Sequence, residues 1–301
     1  METEKKTHVS RREILKQYKK KTPMQEVLSR FMHNRLAVLG LIIFTIILLL
    51  AIFADQIADY QGVALKMNIR SRLQGPSAEH WFGTDEAGRD VFARVIHGSR
   101  TSLWIGFAAT FMALLGGGTL GAIAGYFGKF LDEIIMRIMD IMMCLPGVLL
   151  AMAIVSAFGS SALNMIIAIA VSRLPRFARV VRSAVLTVRT EEYIESARAI
   201  GARSPRIITR HILINCMGPI IVQIALVFAS SVLAISALSF LGLGIKPPAP
   251  EWGNMLAAGR AQMRDHANLV LAPGLALFFS IFSLNLLGDG LRDAFDPKMK
   301  K

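Results

Sequence analysis

The sequence is poor in the residues from which enzyme sites are built. Its 301 residues include two cysteines, Cys144 and Cys216, both in or beside apolar runs. Two such thiols make no disulfide framework and lack the paired spacing of a zinc site, so they read as small buried hydrophobes. The six histidines (8, 33, 80, 97, 211 and 266) are scattered. There is no His-Glu-x-x-His, no Gly-x-Ser-x-Gly and no carboxylate–histidine cluster. The nearest imitation of a phosphate-binding loop is GYFGKF, Gly125 to Phe130. That pattern requires glycine where Ile123 stands and Ser or Thr where Phe130 stands. The expectation is a chain with no catalytic residue, no metal ligand set and no cofactor of its own.

Charge is also scarce, and it is unevenly placed. Charged residues make up 18% of the chain, hydrophobic ones 53%, and mean hydropathy is +0.49. Five runs lack any charge: 36–54, 101–128, 141–172, 212–245 and 267–288. About 20 residues cross a bilayer as a helix. The runs therefore predict an all-α integral membrane protein with six transmembrane helices, near 34–55, 101–125, 133–158, 162–182, 216–241 and 268–289. The first 35 residues are polar, with ten Lys/Arg, and a full-length span follows. This reads as an uncleaved anchor rather than a signal peptide.

The net charge of +13 does not point to nucleic acid, because the basic residues cluster in particular connections. With the N-terminus inside, 25 Lys/Arg fall on cytoplasmic segments and 9 on external ones. That bias predicts cytoplasmic N- and C-termini. It yields a basic N-terminal tail at 1–33, a first span with an external loop at 34–100, a core at 101–290 and a cytoplasmic tail at 291–301. The external connections are 56–100 and 244–267.

Several features inside the spans admit two readings each. Gly117, Gly121 and Gly125 fall on one helix face and suit close helix packing, within this chain or against another subunit. Pro146 and Pro219 are expected to kink or start helices. Asp132, Glu133, Arg137 and Asp140 open the third span, where Arg137 can pair with Glu133 and Asp140 as a local network. Arg173, Arg176, Arg179 and Arg182 recur every three residues, to meet anionic headgroups, a partner subunit or a gate. Asn164, Gln223, Ser230, Ser236 and Asn285 are polar residues within apolar spans, as path lining or as packing hydrogen bonds. The other spans hold no acid in their cores, which argues against an ion-coupled carrier acting alone.

One polar stretch interrupts the apolar half of the chain: EEYIESARAIGARSPRIITRHI, Glu191 to Ile212. Its first part reads as a helix with Thr190 as N-cap and Gly201 at the left-handed position after its end. Ser204 and Pro205 start a second helix. Tyr193, Ala197 and Ile200 form a narrow apolar stripe, with Glu195 and Arg198 placed to pair beside it. A short helix of this kind is suited to dock in a groove; resting on the lipid surface would call for a wider apolar face.

The same residues resemble the EAA loop of ABC importer permeases, with Glu195, Ser196, Ala197 and Gly201 in the motif's places. The wider chain, from about residue 30 to 298, is similar to the C-type permease of the dipeptide/oligopeptide/nickel importers. Gly83-Thr84-Asp85 with Gly88-Arg89-Asp90, Ser239 to Gly244, Trp252-Gly253 and Asn285 to Pro297 carry that likeness. Ser196 replaces the usual alanine, and Ile214 stands where proline usually precedes Asn215.

The resemblance implies a type I ABC importer permease fold over 101–290, with the EAA loop at 190–215. It implies a second homologous permease, two cytoplasmic ATP-binding subunits that hold ATP and Mg, and an extracytoplasmic substrate-binding protein. Glu192, Tyr193, Glu195, Ser196, Ala197, Arg198 and Gly201 would couple to the ATPase. Asp85, Arg89, Asp90 and Trp252 would meet the binding protein. The implied substrates are di- or oligopeptides, with nickel chelates or glutathione as alternatives.

Overall fold

A computed structural model describes residues 23–296; the expectations for the first 22 residues of the N-terminal tail and for 297–301 lie outside it. Every regular element among the described residues is helical. The main ones are α1 (Pro23–His33), α2 (Arg35–Ile52), α3 (Val91–Phe127), α4 (Lys129–Met143) and α5 (Gly147–Phe158). They continue with α6 (Ala162–Val188), α7 (Glu192–Ala199), α8 (Met217–Phe240), α9 (Trp252–Gly259) and α10 (Asn268–Phe295).

Four helices are long and apolar enough to cross a membrane, α2, α3, α8 and α10, or five if the bent pair α4–α5 counts as one span. The third predicted span, 133–158, is broken: α4 and α5 meet at 86°. Pro146, which has no N–H to continue a helical ladder, caps α5 at the break. Arg173, Arg176 and Arg179 lie in α6 and keep it out of the apolar class. α3 begins ten residues before the predicted second span, because Asp90 accepts a hydrogen bond from Ala93 N and caps it there. At 1.5 Å per residue α3 is roughly 55 Å long, well beyond a hydrocarbon core of about 30 Å.

The core is made by helices pressed together at small residues. Gly117, Gly121 and Gly125 of α3 lie against α6, so the glycine face serves packing within this chain. A Cβ at Gly121 would sit 2.3 Å from Ala178 O. Ile105, Ala109, Val155, Met165, Ile169 and Ile235 then form a buried cluster joining α3, α5, α6 and α8. Large apolar side chains face outward instead, among them Ile42 and Ile46 of α2, Phe111 of α3 and Phe278 of α10. Such a surface is stable in lipid, not in water.

The acids of α4 do not form the expected local network. Asp132 is bonded to Arg182, and Asp140 to Arg179, both from α6. The side chains at i and i+4 on α4 lost to partners from a packed neighbour. Arg179 and Arg182 are thus held within the chain.

Candidate coupling loop and interhelical knot

The EAA-like stretch folds as two helical pieces around Gly201. Thr190 is not the cap: its hydroxyl donates to Thr187 O, and α7 starts after Glu191 without a side-chain cap. At the other end the helix closes with a full Schellman pattern. Gly201 N donates to Arg198 O at 2.9 Å and Ala202 N to Ala197 O at 3.0 Å. Gly201 has φ +81° with no atom within 4 Å of where a Cβ would stand, so glycine is needed there for its backbone alone. Ser204 and Pro205 then open the second piece, which continues as a π-helical turn, Ile207–Ile212, before α8.

The loop is bolted down on one face. Ile194 and Ala197 of α7 are buried together with Ile207, Ile212, Val181, Val185 and Ile220. This corrects the apolar stripe read from the sequence. Ala197 faces the chain's own core, whereas Tyr193 is 43% and Ile200 85% exposed. Glu192, Glu195 and Ser196 are exposed with them. Arg198 does not pair with Glu195; its guanidinium stacks over the Tyr126 ring at 5.2 Å, fixing α7 to the end of α3. Burial pushes the Tyr193 hydroxyl above its ordinary range. The exposed face, Tyr193 and Ile200 with two carboxylates, is not covered by any of the described residues.

At the opposite end of α3 the two long connections are knotted together. Trp252 Nε1 donates to Val95 O at 3.0 Å, about 45 Å along α3 from Tyr126. Asp85 accepts from Ala87 N at 2.8 Å and Arg89 Nε at 2.7 Å, and forms an ion pair with Arg94 Nε at 3.4 Å. Arg94 also donates to Ala64 O and Pro248 O, joining the first connection to the second. Asp90 caps α3 and bonds His80 Nδ1 at 2.8 Å. Of the four residues expected to meet a partner, Trp252 and Asp90 are buried and Asp85 and Arg89 are turned into the knot. Their hydrogen bonds shape the surface, and Trp81 and Ile69 are among the large apolar side chains exposed in the first connection. Sequence reasoning missed Glu251, fully buried, which caps α9 through Gly253 N and Asn254 N.

The five polar candidates for a path separate by role. Asn164 donates to Phe158 O and Gly159 O and closes the turn after α5. Ser230 donates to Val227 O within α8. Ser236 is buried, with a hydroxyl that has no hydrogen-bond partner among the described residues. Gln223 lines a crevice of about 480 Å³ with Arg292 and Val180, and Asn285 is exposed on α10. One of the four regularly spaced arginines reaches Ser230 as well. Arg173 is buried beside Gly147 at the α4–α5 elbow, donates to Ser230 O at 3.1 Å, and leaves Nε without a partner among the described residues. No carboxylate among the described residues pairs with it, an unusual state for a cation within apolar helices.

Long apolar helices packed at glycines, with a helix–glycine–helix loop at one end and knotted connections at the other, define a multi-pass membrane permease scaffold. The chain belongs to the binding-protein-dependent transport system inner membrane component family, whose match covers residues 117–301. Residues 22–76 match the N-terminal TM domain of oligopeptide transport permease C. It is 48% identical over 284 residues to the dipeptide transport system permease protein DppC of Alkalihalophilus pseudofirmus, covering 94% of this chain and 93% of that one. It is 43% identical to the di/tripeptide transport system permease protein DppC of Pseudomonas aeruginosa, with 93% of each chain covered. To the glutathione transport system permease protein GsiD of Pectobacterium atrosepticum it is 41% identical, again over 93% of each. The solved MetNI methionine ABC transporter, in inward-facing conformations, superposes with a TM-score of 0.56 at 18% identity, over 67% of this chain and 97% of that one. That likeness shows the type I ABC permease fold. The protein is thus an inner-membrane transport component, in a family that is not enzymatic.

Proposed function

We propose that this chain is the C-type permease of an ATP-driven peptide importer, coupled to ATPase subunits through Glu191–Ile212. The observation that carries this reading is the division of α7 into two faces. Ile194 and Ala197 lock the loop to its own core, while Tyr193, Glu195 and Ile200 are left outward on a rigid, Schellman-closed helix. A push on the outer face is transmitted to α6 and α8 through the buried one, and Gly201 sets the angle between the two pieces.

In this reading the chain crosses the membrane six times, counting α4–α5 and α6 as spans, with cytoplasmic termini and the loop at the cytoplasmic end. The 25-to-9 distribution of basic residues supports that orientation. Two ATP-binding subunits hold ATP and Mg and dock on Glu192, Tyr193, Glu195, Ser196 and Ile200. A second permease completes the path, and an extracytoplasmic binding protein delivers peptide to the knotted end. The dipeptide and di/tripeptide relatives support a short peptide as substrate; the glutathione relatives leave a modified tripeptide as the alternative.

The test is reconstitution with the partner subunits and a peptide-loaded binding protein. Glu195→Lys and Gly201→Val are expected to assemble yet uncouple ATP hydrolysis from uptake. Uptake by this chain alone in liposomes, indifferent to ATP, is the outcome that would sink the proposal.

A further inference from the structure

An apolar groove of about 540 Å³ runs along α3 from Leu114 to Phe127, floored by Gly118 and walled by Ile208, Thr209 and Ile224. Its two threonine hydroxyls are already spent. Thr119 donates to Leu115 O at 2.7 Å and Thr209 to Pro205 O at 2.8 Å, so the groove offers hydrocarbon and almost nothing polar. Fourteen residues of helix give it a length of roughly 20 Å, about two-thirds of the thickness of a bilayer's hydrocarbon core.

Pro205 and Thr209 line the groove, and the residue that follows each in the chain is an arginine, Arg206 and Arg210. Both are exposed, and among the described residues neither enters an ion pair. A greasy slot about two-thirds as long as the hydrocarbon core is thick, with two exposed arginines next in the chain to residues that line it, suits an amphipathic anion with a long apolar tail.

We propose that the groove binds an acyl chain of an anionic phospholipid whose headgroup phosphate lies between Arg206 and Arg210. The guanidinium pair suits phosphate in both charge and hydrogen-bond geometry. Small residues at Gly118 and Ala122 leave the depth a chain needs. The site adjoins the turn that follows Gly201, so a bound lipid stiffens the junction between that loop and α8. The inference needs only that the chain lies in a membrane, and it stands whether or not the loop couples to an ATPase.

The experiment uses the full chain in its purified assembly, in phosphatidylcholine nanodiscs with a trace of phosphatidylglycerol carrying a diazirine on its acyl chain. Photolabel is expected to concentrate on the peptides containing 114–127 and 205–224. Arg206→Gln with Arg210→Gln should lower that labelling by roughly an order of magnitude, with labelling of the α2 face at Ile42 and Ile46 unchanged as the internal control. Gly118→Leu, which fills the groove but keeps both arginines, should lower it too. Photoactivatable phosphatidylcholine should show no such concentration. Even labelling of all helices, equal labelling by the two lipids, insensitivity to these variants, or crosslinking of the groove to a second polypeptide would each overturn the proposal.

Discussion

Arg182 of α6 grips Asp132 of α4 with two hydrogen bonds, Nη2 donating at 2.6 Å, and so ties the two helices together just after the turn at Gly128. The pair is only partly exposed, and both members lose a geometrically fixed partner if it is broken. Asp132→Asn and Arg182→Gln are each expected to lower the melting temperature in detergent. A double-mutant cycle should give a coupling of about 1 kcal/mol, at the upper end for a pair still in contact with solvent. The Asp140–Arg179 pair is about half exposed on both sides, and its cycle should give less. Equal coupling for the two pairs would contradict the idea that burial of Asp132 makes the difference.

Gly121 and Gly201 make opposite demands, and alanine separates them. At Gly121 the added methyl meets Ala178 O at 2.3 Å, a backbone atom that cannot turn aside, so α3 and α6 must move apart. Overpacking of that kind costs about 1–3 kcal/mol. At Gly201 nothing is in the way, and the cost is the left-handed backbone alone, about 1–2 kcal/mol and confined to the loop. Gly121→Ala should therefore lower global thermal stability. Gly201→Ala should leave the melting temperature close to wild type while raising hydrogen exchange across 197–204.

These two glycines also mark how far the sequence could be read. Charge-free runs are a one-dimensional signal, so the apolar helices and the packing face at Gly117, Gly121 and Gly125 were visible without a structure. Gly201 was visible because only a left-handed residue closes a helix in that way. Features that depend on another element's position were not. Local spacing pointed Asp140 at Arg137, whereas the partner came from α6. Tyr193, Ala197 and Ile200 look like one stripe until Ile207 and Ile212 pack beneath the helix and claim Ile194 and Ala197. Resemblance assigns Trp252 to a partner-facing surface, because it follows a proline run in an external connection. Its burial is set by Val95, more than 150 positions away.

Glu251 should give the folded chain a pH dependence that a glutamine removes. Burial pushes its carboxyl above the usual range, against the hydrogen bonds from Gly253 N, Asn254 N and Ser102. The folded chain therefore keeps this proton to higher pH than the unfolded chain, whose carboxyl titrates near about 4.3. Between those two values folding takes up a proton, so stability falls as pH rises through that window. Melting curves from about pH 4 to 8 should show that fall in the wild type and a smaller one in Glu251→Gln. An identical pH profile for the two would mean that the carboxyl is not the group responsible.

Arg173 is the sharpest case, because structure and function predict opposite signs for the same substitution. Its guanidinium is buried, makes one hydrogen bond to Ser230 O, and has no carboxylate partner among the described residues. Replacing a paired buried charge strands the partner and costs about 3–5 kcal/mol. Here nothing is stranded, since Ser230 O belongs to a helix that already satisfies its carbonyls. Arg173→Met removes an uncompensated cation and fills similar volume, so the melting temperature should hold or rise. If the charge is kept for transport, by attracting a peptide carboxylate or an acid of the second permease when the α4–α5 elbow moves, uptake should fall tenfold or more in the same variant, about 1.4 kcal/mol of barrier. Arg173→Lys should restore part of it. A variant that loses stability and uptake together would assign Arg173 to the scaffold; one that keeps stability and loses uptake would assign it to the path.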